Sequence, residues 1–301
     1  MAIRGNKDNG LKDFLGTACL CSRGVTLIEL LIAMVVGLIA VGSVYSVYTT
    51  HQHTYRNQQL TLEARQNLRC ATIVLEQEIR MAGFDPWESG HFGIVDVRRY
   101  NTLKSNLVDP DGQPALFYTA DLNEDGALDQ RNANRNREHP NFRIRYDQTI
   151  QRYYLAWDMG SGRQPLAEGI QAIGFAYAVD ADNDGLADRW RKGPHLIWAV
   201  DSDNDNILDT HIDTNDDGII TTSDDRDGDS RITMADGGML KPPVSVEHIK
   251  AVRFWLLAVS TRQIRGHSDN SDYRVGDRIF PATKDSYKRT VLESIVECRN
   301  L

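Results

Sequence analysis

From Val25 to Tyr48 the chain reads VTLIELLIAMVVGLIAVGSVYSVY, 24 positions with one charge, Glu29, and no proline. Coiled as a helix, such a run spans roughly 36 Å at about 1.5 Å per residue, enough for the roughly 30 Å hydrocarbon core of a bilayer. The apolar pattern then changes without a break. Leu60, Ala64, Leu68, Ala71, Leu75, Ile79 and Ala82 recur at spacings of three and four, the stripe of an amphipathic helix. Gly83 and then Pro86 supply its stop. The pattern predicts one helix of about 55 to 60 residues, residues 25–48 in lipid and residues 49–83 docked on a domain formed by 84–301. A Sec-type signal peptide fits less well, because its apolar stretch is usually about 7–15 residues and ends in a small-residue cleavage site.

Beyond the helix the pattern turns to strands. Phe142–Tyr146, Ile150–Trp157, Ile170–Val179 and Val252–Val259 are β-branched and aromatic runs bounded by Asp, Gly, Asn or Pro. Pro110, Asp111 and Gly112 read as a turn. In a final strand, Leu292, Ser294, Val296 and Cys298 share one face. A long helix followed by an antiparallel sheet with large insertions is an α+β order.

Composition adds two exclusions. The 301 residues are 41% apolar and include 24 aromatics, which excludes disorder of the whole chain. The formal charge of −8 is unevenly placed: residues 180–236 hold 16 Asp, no Glu and 5 Lys or Arg, a local net of −11. No basic face remains to grip nucleic acid. Four cysteines, at 19, 21, 70 and 298, are too few for a disulfide scaffold and wrongly spaced for a zinc finger. Cys70 lies beside the helical stripe and Cys298 on the inward face of the last strand, so a bridge between them and two separate buried thiols are both compatible with the pattern.

The residues before the apolar run carry Arg4, Lys7, Lys12 and Arg23 against Asp8 and Asp13, a flank of +2 that keeps the N-terminus cytoplasmic. Glu29, five places into a bilayer helix, costs on the order of 2–3 kcal/mol if left uncompensated at the membrane centre. The run Arg23, Gly24, Val25, Thr26, Leu27, Ile28, Glu29, Leu30, Leu31 resembles the class III signal of type IV pilins and type II secretion pseudopilins. That resemblance implies cleavage of a leader, residues 1–24, after Gly24 by a prepilin peptidase, methylation of the new N-terminus at Val25, and pairing of Glu29 with a neighbouring subunit's N-terminal amine. The pairing is physically apt, because an ammonium and a carboxylate compensate each other in low dielectric. The sequence departs from the family in its long leader and in placing Val25, rather than the usual phenylalanine, first.

Glu78, Ile79, Arg80, Met81, Ala82, Gly83 and Phe84 resemble the end of the long helix in PilW-like minor pilins. The run Asp285 to Arg289, with Val296 to Asn300, is similar to the terminal strand of PilW and of J-type pseudopilins. The resemblance implies a type IV pilin-like fold, anchorage in the bacterial inner membrane with the C-terminus periplasmic, and other minor pilins, the major pilin and a tip adhesin as partners.

The acidic insert has a period. Asp201, Asp213 and Asp225 each open an acidic triplet at a spacing of 12 residues, the length of an EF-hand-type calcium loop. Residues 213–224 offer Asp213, Asn215, Asp217, Thr221 and Asp224, with Gly218 sixth and Ile220 eighth. Residues 225–236 offer Asp225, Asp227, Asp229, Thr233 and Asp236, with Ser230 in place of the glycine. The twelfth residue is Asp rather than Glu, which is similar to dockerin-type loops.

A shorter pattern places Asp121, Asn123, Asp125 and Asp129 around Gly126, and Asp180, Asp182, Asp184 and Asp188 around Gly185. Asp201, Asp203, Asp205 and Asp209 share it without the glycine. This pattern resembles the aspartate-rich repeats of thrombospondin type 3 proteins. Hard oxygen donors in flexible loops suit calcium better than magnesium. The competing reading is a disordered acidic loop.

The sequence carries no GxSxG, P-loop or HExxH motif, and its eight histidines show no metal-site spacing. The sequence therefore predicts a structural subunit rather than an enzyme. Its leading reading is a calcium-stabilised minor pilin that helps initiate a type IV pilus and sits at its tip; the rivals are a J-type pseudopilin of type II secretion and a calcium-dependent adhesin module on a pilin stalk.

Overall fold

The computed structural model describes residues 24–100, 112–129, 138–147, 149, 152–158 and 163–301. The leader residues before Gly24, Pro110 and Asp111 of the turn, and Ile150 and Gln151 of the second predicted strand lie outside these. The described chain begins with the helix Leu27–Met81, 55 residues, and divides into two units, one ending at Thr54 and one running from Tyr55 to Leu301.

In the first unit the helix is apolar and exposed, with Leu27 at 78% and no part of its most apolar window buried. It is long and apolar enough to cross a membrane. Several of its hydroxyls bond back to the helix itself. Ser43 Oγ donates to the Ile39 carbonyl at 2.8 Å, and Thr50 Oγ1 to that of Ser46 at 2.9 Å. Such back-bonding is what a polar group in hydrocarbon requires.

In the second unit the helix buries Ala64, Leu68, Ala71, Leu75 and Ile79, the predicted stripe, while Leu60 is half-buried. The helix ends because Gly83 takes φ +75, a left-handed turn in which its N–H donates to the Thr119 carbonyl at 3.0 Å.

Two large antiparallel sheets follow where the sequence suggested one. The five-stranded sheet runs in the order Ile94–Asp96, Leu116–Tyr118, Asn141–Asp147, Arg152–Asp158, Arg163–Glu168. The six-stranded sheet runs Met239–Ser245, Ile207–His211, Ala199–Val200, Ile170–Val179, Ile249–Val259, Arg289–Glu297. Strands of two or three residues, such as Ile94–Asp96 and Ala199–Val200, are too short to show a period, which is why the second sheet was not legible.

Alternation along Ile249–Val259 divides the core between two faces. Val252, Phe254, Leu256 and Ala258 join the cluster that holds the helical stripe. Ala251, Trp255 and Leu257 face the other way and pack with Ile212, Ile220 and Ile232. The acidic insert is therefore woven into the fold: it supplies two strands to the six-stranded sheet and apolar side chains to that sheet's far face.

Candidate functional site

Two regions carry the predicted chemistry. The first is the start of the helix. Thr26 precedes the first helical residue, and Glu29 is the third residue of the first turn. The Thr26 N–H and hydroxyl donate to Glu29 Oε2 at 2.9 and 3.0 Å, and the Glu29 N–H donates back to Thr26 Oγ1 at 3.3 Å. This is a capping box, which satisfies otherwise orphaned donors at a helix N-terminus. Gly24 and Val25 stand outside the helix, in non-helical backbone, so the predicted cleavage point is separated from the first turn.

The second region is a set of five loops with one backbone design. Asp121, Asp180, Asp201 and Asp213 each accept, on their two oxygens, the N–H groups four and five places ahead. Asp225 accepts from Gly228 and Ser230. In all five loops the third side chain accepts from the fifth N–H. The fifth side chain in turn accepts from the seventh N–H. A chain that wraps so tightly about a carboxylate needs left-handed residues at the fourth and sixth places. The fourth are Glu124, Asn183, Asn204, Asp216 and Gly228, at φ between 58 and 74. The sixth are Gly126, Gly185, Asn206, Gly218 and Ser230, at φ between 72 and 85. Glycine enters that region freely, whereas Asn206 and Ser230 enter it with a Cβ to accommodate.

The loops close in two ways. In two of the shorter ones the ninth residue reaches back: Asp188 accepts from the Ala181 N–H at 2.8 Å, and Asp209 from that of Ser202 at 3.1 Å. In the 12-residue loops the last residue does so: Asp224 accepts from the Asn215 N–H at 3.3 Å, and Asp236 from the Arg226 and Asp227 N–H groups at 2.7 and 3.2 Å. Ile220 and Ile232, eighth in their loops, enter the core on the sheet's far face.

Wrapped in this way, carboxylate oxygens converge. One oxygen from each of Asp180, Asp182 and Asp184 lies within 4.8 Å of the others, and the same holds for Asp201, Asp203 and Asp209, and for Asp225, Asp227 and Asp229. Desolvation and the neighbouring carboxylates of Asp205 and Asp209 push Asp203 above the usual carboxylate range. Desolvation and Asp227, Asp225 and Asp236 do the same to Asp229. Asp209 is 5% exposed; its Oδ1 accepts from the Ser202 N–H and the Thr210 hydroxyl, while its Oδ2 is buried with no hydrogen-bond partner.

Residues 139–300 match the family described as Type IV Pilus-assembly protein W, and residues 20–45 match the prokaryotic N-terminal methylation motif. The chain belongs to the type IV pilus-assembly protein W family. No curated protein matches it. Among solved structures it is similar to a type IV-like pilin from Thermus thermophilus, over 79% of this chain and 97% of that one, at 14% identity and a TM-score of 0.36, a likeness too distant to build on. The family is one of structural pilus components. Its two matched segments cover the helix start and most of the sheets, and the methylation motif contains Gly24, Val25 and Glu29.

Within this PilW-family chain several of the predicted ligands also accept hydrogen bonds in their own loops. Thr221 and Thr233 cap short 3-10 turns: their hydroxyls each accept a backbone N–H at 3.2 Å, from Ser223 and Ala235. Asp224 and Asp236 complete those caps by accepting the Thr221 and Thr233 N–H groups at 2.8 Å. Asp213 gathers with His195 and Asp216, and His195 Nδ1 lies 3.1 Å from Asp216 Oδ1. Glu138 takes the place expected for Asp129: its carboxylate meets those of Asp121 and Asp125, and it accepts the Asp129 N–H at 2.9 Å. Glu138 and His195 were missed because each reaches its loop from outside the repeat. The Thr26-x-x-Glu29 capping box was also missed, although that spacing is a readable signature.

The Cys70–Cys298 bridge is not formed. Cys70 is exposed and Cys298 buried, both as free thiols. At 3.6 residues per turn Cys70 points about 100° away from Ala71, off the docked stripe, while Cys298 faces the core that the stripe helps build.

Proposed function

We propose that this chain is a minor pilin that helps start a type IV pilus and remains at its tip. In this reading residues 25–48 hold the subunit in the inner membrane with the C-terminus periplasmic. Prepilin peptidase removes the leader after Gly24, and the subunit then joins other minor pilins and the major pilin. The observation that carries the reading is the prepilin-type N-terminus running directly into an exposed apolar helix, on a chain of the PilW family. Thr26 supports it physically: in a free subunit it satisfies the Glu29 carboxylate, which would otherwise stand uncompensated in lipid. Assembly then exchanges that partner for a neighbour's terminal ammonium, a stronger one in low dielectric. Glu29→Ala is expected to remain inserted and cleaved but to fall at least about tenfold in the fibre fraction. Normal incorporation refutes the pairing role. Loss of surface fibres on deletion, rather than loss of secreted folded enzymes, separates a pilus from type II secretion.

The aspartate loops are calcium sites in the same reading. The donors are hard oxygens on flexible loops, the chemistry calcium prefers. The buried Asp209 Oδ2 has no protein donor, a costly state for an anionic oxygen unless a cation meets it. Calorimetric titration of calcium into the full chain in detergent micelles is expected to show several ions binding at micromolar concentration. No heat at millimolar calcium refutes this part.

A further inference from the structure

We propose that the loop Asp201–Asp209 is a calcium-dependent staple between the two large sheets: an ion held by Asp201, Asp203 and Asp209 sets the loop, and Asn204 and Asn206 carry that order to residues 95–99. The inference rests on the calcium reading of the loops and deepens it by giving one ion a distinct structural task.

The starting observation is a departure from the repeat. Asn206 occupies a sixth place at φ 72, where three sister loops have glycine. Its amide is used across the fold: Oδ1 accepts the Val97 N–H at 3.0 Å, and Nδ2 donates to the Val95 carbonyl at 3.0 Å. Asn204, at the other left-handed place, accepts the Arg99 N–H at 2.6 Å. The loop joins Ala199–Val200 to Ile207–His211 in the six-stranded sheet, whereas Ile94–Asp96 is the edge strand of the five-stranded one. Arg99 extends the joint, since its guanidinium reaches Asp277 Oδ2 at 2.5 Å and the Asp201 carbonyl at 3.4 Å. Both asparagines reach residues 95–99 only while the loop holds its left-handed turns.

The second observation says what holds them. One carboxylate oxygen from each of Asp201, Asp203 and Asp209 lies within 4.8 Å of the others, and the Asp209 Oδ2 is buried without a donor. Like charges so placed repel, and a buried anionic oxygen is stable only when compensated. A cation of flexible oxygen coordination satisfies all three, and calcium is that cation. Without it the loop opens and releases Asn204 and Asn206 from residues 95–99.

The test is hydrogen exchange of peptides covering 94–100 in the full chain in detergent micelles, with calcium chloride and after chelation. Wild-type protein is expected to exchange there at least tenfold faster after chelation, while the helix at 64–79 stays protected. Asn206→Gly restores the sister loops' residue. It is expected to bind as many ions as wild type by equilibrium dialysis, yet to exchange fast even with calcium. Asp209→Asn is expected to hold one ion fewer and to exchange fast. The staple is overturned if a protein that binds calcium shows the same exchange at 94–100 with and without it. It is equally overturned if Asn206→Gly keeps slow exchange or if Asp209→Asn holds every ion. Wild-type protein that binds no calcium at all refutes the calcium reading itself, and the staple with it.

Discussion

Leu75→Ala, set against Ile73→Ala, probes how the helix meets the sheets. The two positions lie about 200° apart on a helix of 3.6 residues per turn. Leu75 is 0% exposed and belongs to the core cluster shared with Phe254 and Leu256, whereas Ile73 is 49% exposed. Truncating a fully buried leucine costs about 2–5 kcal/mol, because the lost transfer energy is joined by a cavity. Truncating a half-exposed isoleucine forfeits only part of the transfer energy, about 1 kcal/mol or less. For a unit of this size each kcal/mol moves the melting point by roughly 2–4 °C, so a central loss of about 3 kcal/mol lowers it by roughly 6–12 °C. The five tryptophans all lie beyond Tyr55, so their fluorescence during heating reads the second unit directly. A fall of roughly 6–12 °C for Leu75→Ala and under about 4 °C for Ile73→Ala is expected. Equal shifts, or a larger one at Ile73, would refute the docked stripe.

Burial raises the Glu78 carboxyl above its ordinary value of 4.5 despite the hydrogen bond from Tyr118. A group that holds its proton more tightly when folded contributes stability at low pH, and that contribution is lost as pH rises through the raised value. Glu78→Gln is therefore expected to melt higher than wild type at pH 7 and no higher at pH 4; the reverse order contradicts this. Native alkylation is expected to label Cys70 and spare Cys298, whose thiol burial pushes up to about 12, and peptide mapping without reductant should find them unlinked. Gly174→Ala should destabilise the domain by about 1–3 kcal/mol, because a Cβ there would stand 2.5 Å from the backbone nitrogen of Gly276; an unchanged melting point counts against that close approach.

The helix was legible because its signals are redundant. A long apolar run, a stripe of spacing three and four, and a glycine stop agree, and the observed Leu27–Met81 falls two residues inside the predicted 25–83 at each end. The strands from Phe142, Ile170 and Val252 were legible through their β-branched and aromatic content. The aspartate repeat marked where the five loops lie; four of them wrap the first carboxylate with the N–H groups four and five places ahead, whereas Asp225 accepts from Gly228 and Ser230, and the sixth place is glycine in three of the five. What escaped the sequence was tertiary. Neither Glu138 nor His195 shares the period of the loop it joins, and nothing local marks Asn204 and Asn206 as partners of residues more than a hundred positions earlier. Cys70 was misplaced because lying next to a stripe residue in sequence means pointing off the stripe in a helix.

In the proposed reading this PilW-family chain is a processed subunit of a fibre. Mass spectrometry of sheared fibres tests it most directly. A peptide beginning at N-methylated Val25 is expected, present in the fibres far below the level of the major subunit. A chain that keeps residues 1–24, stays in the inner membrane and is absent from the fibres would contradict it.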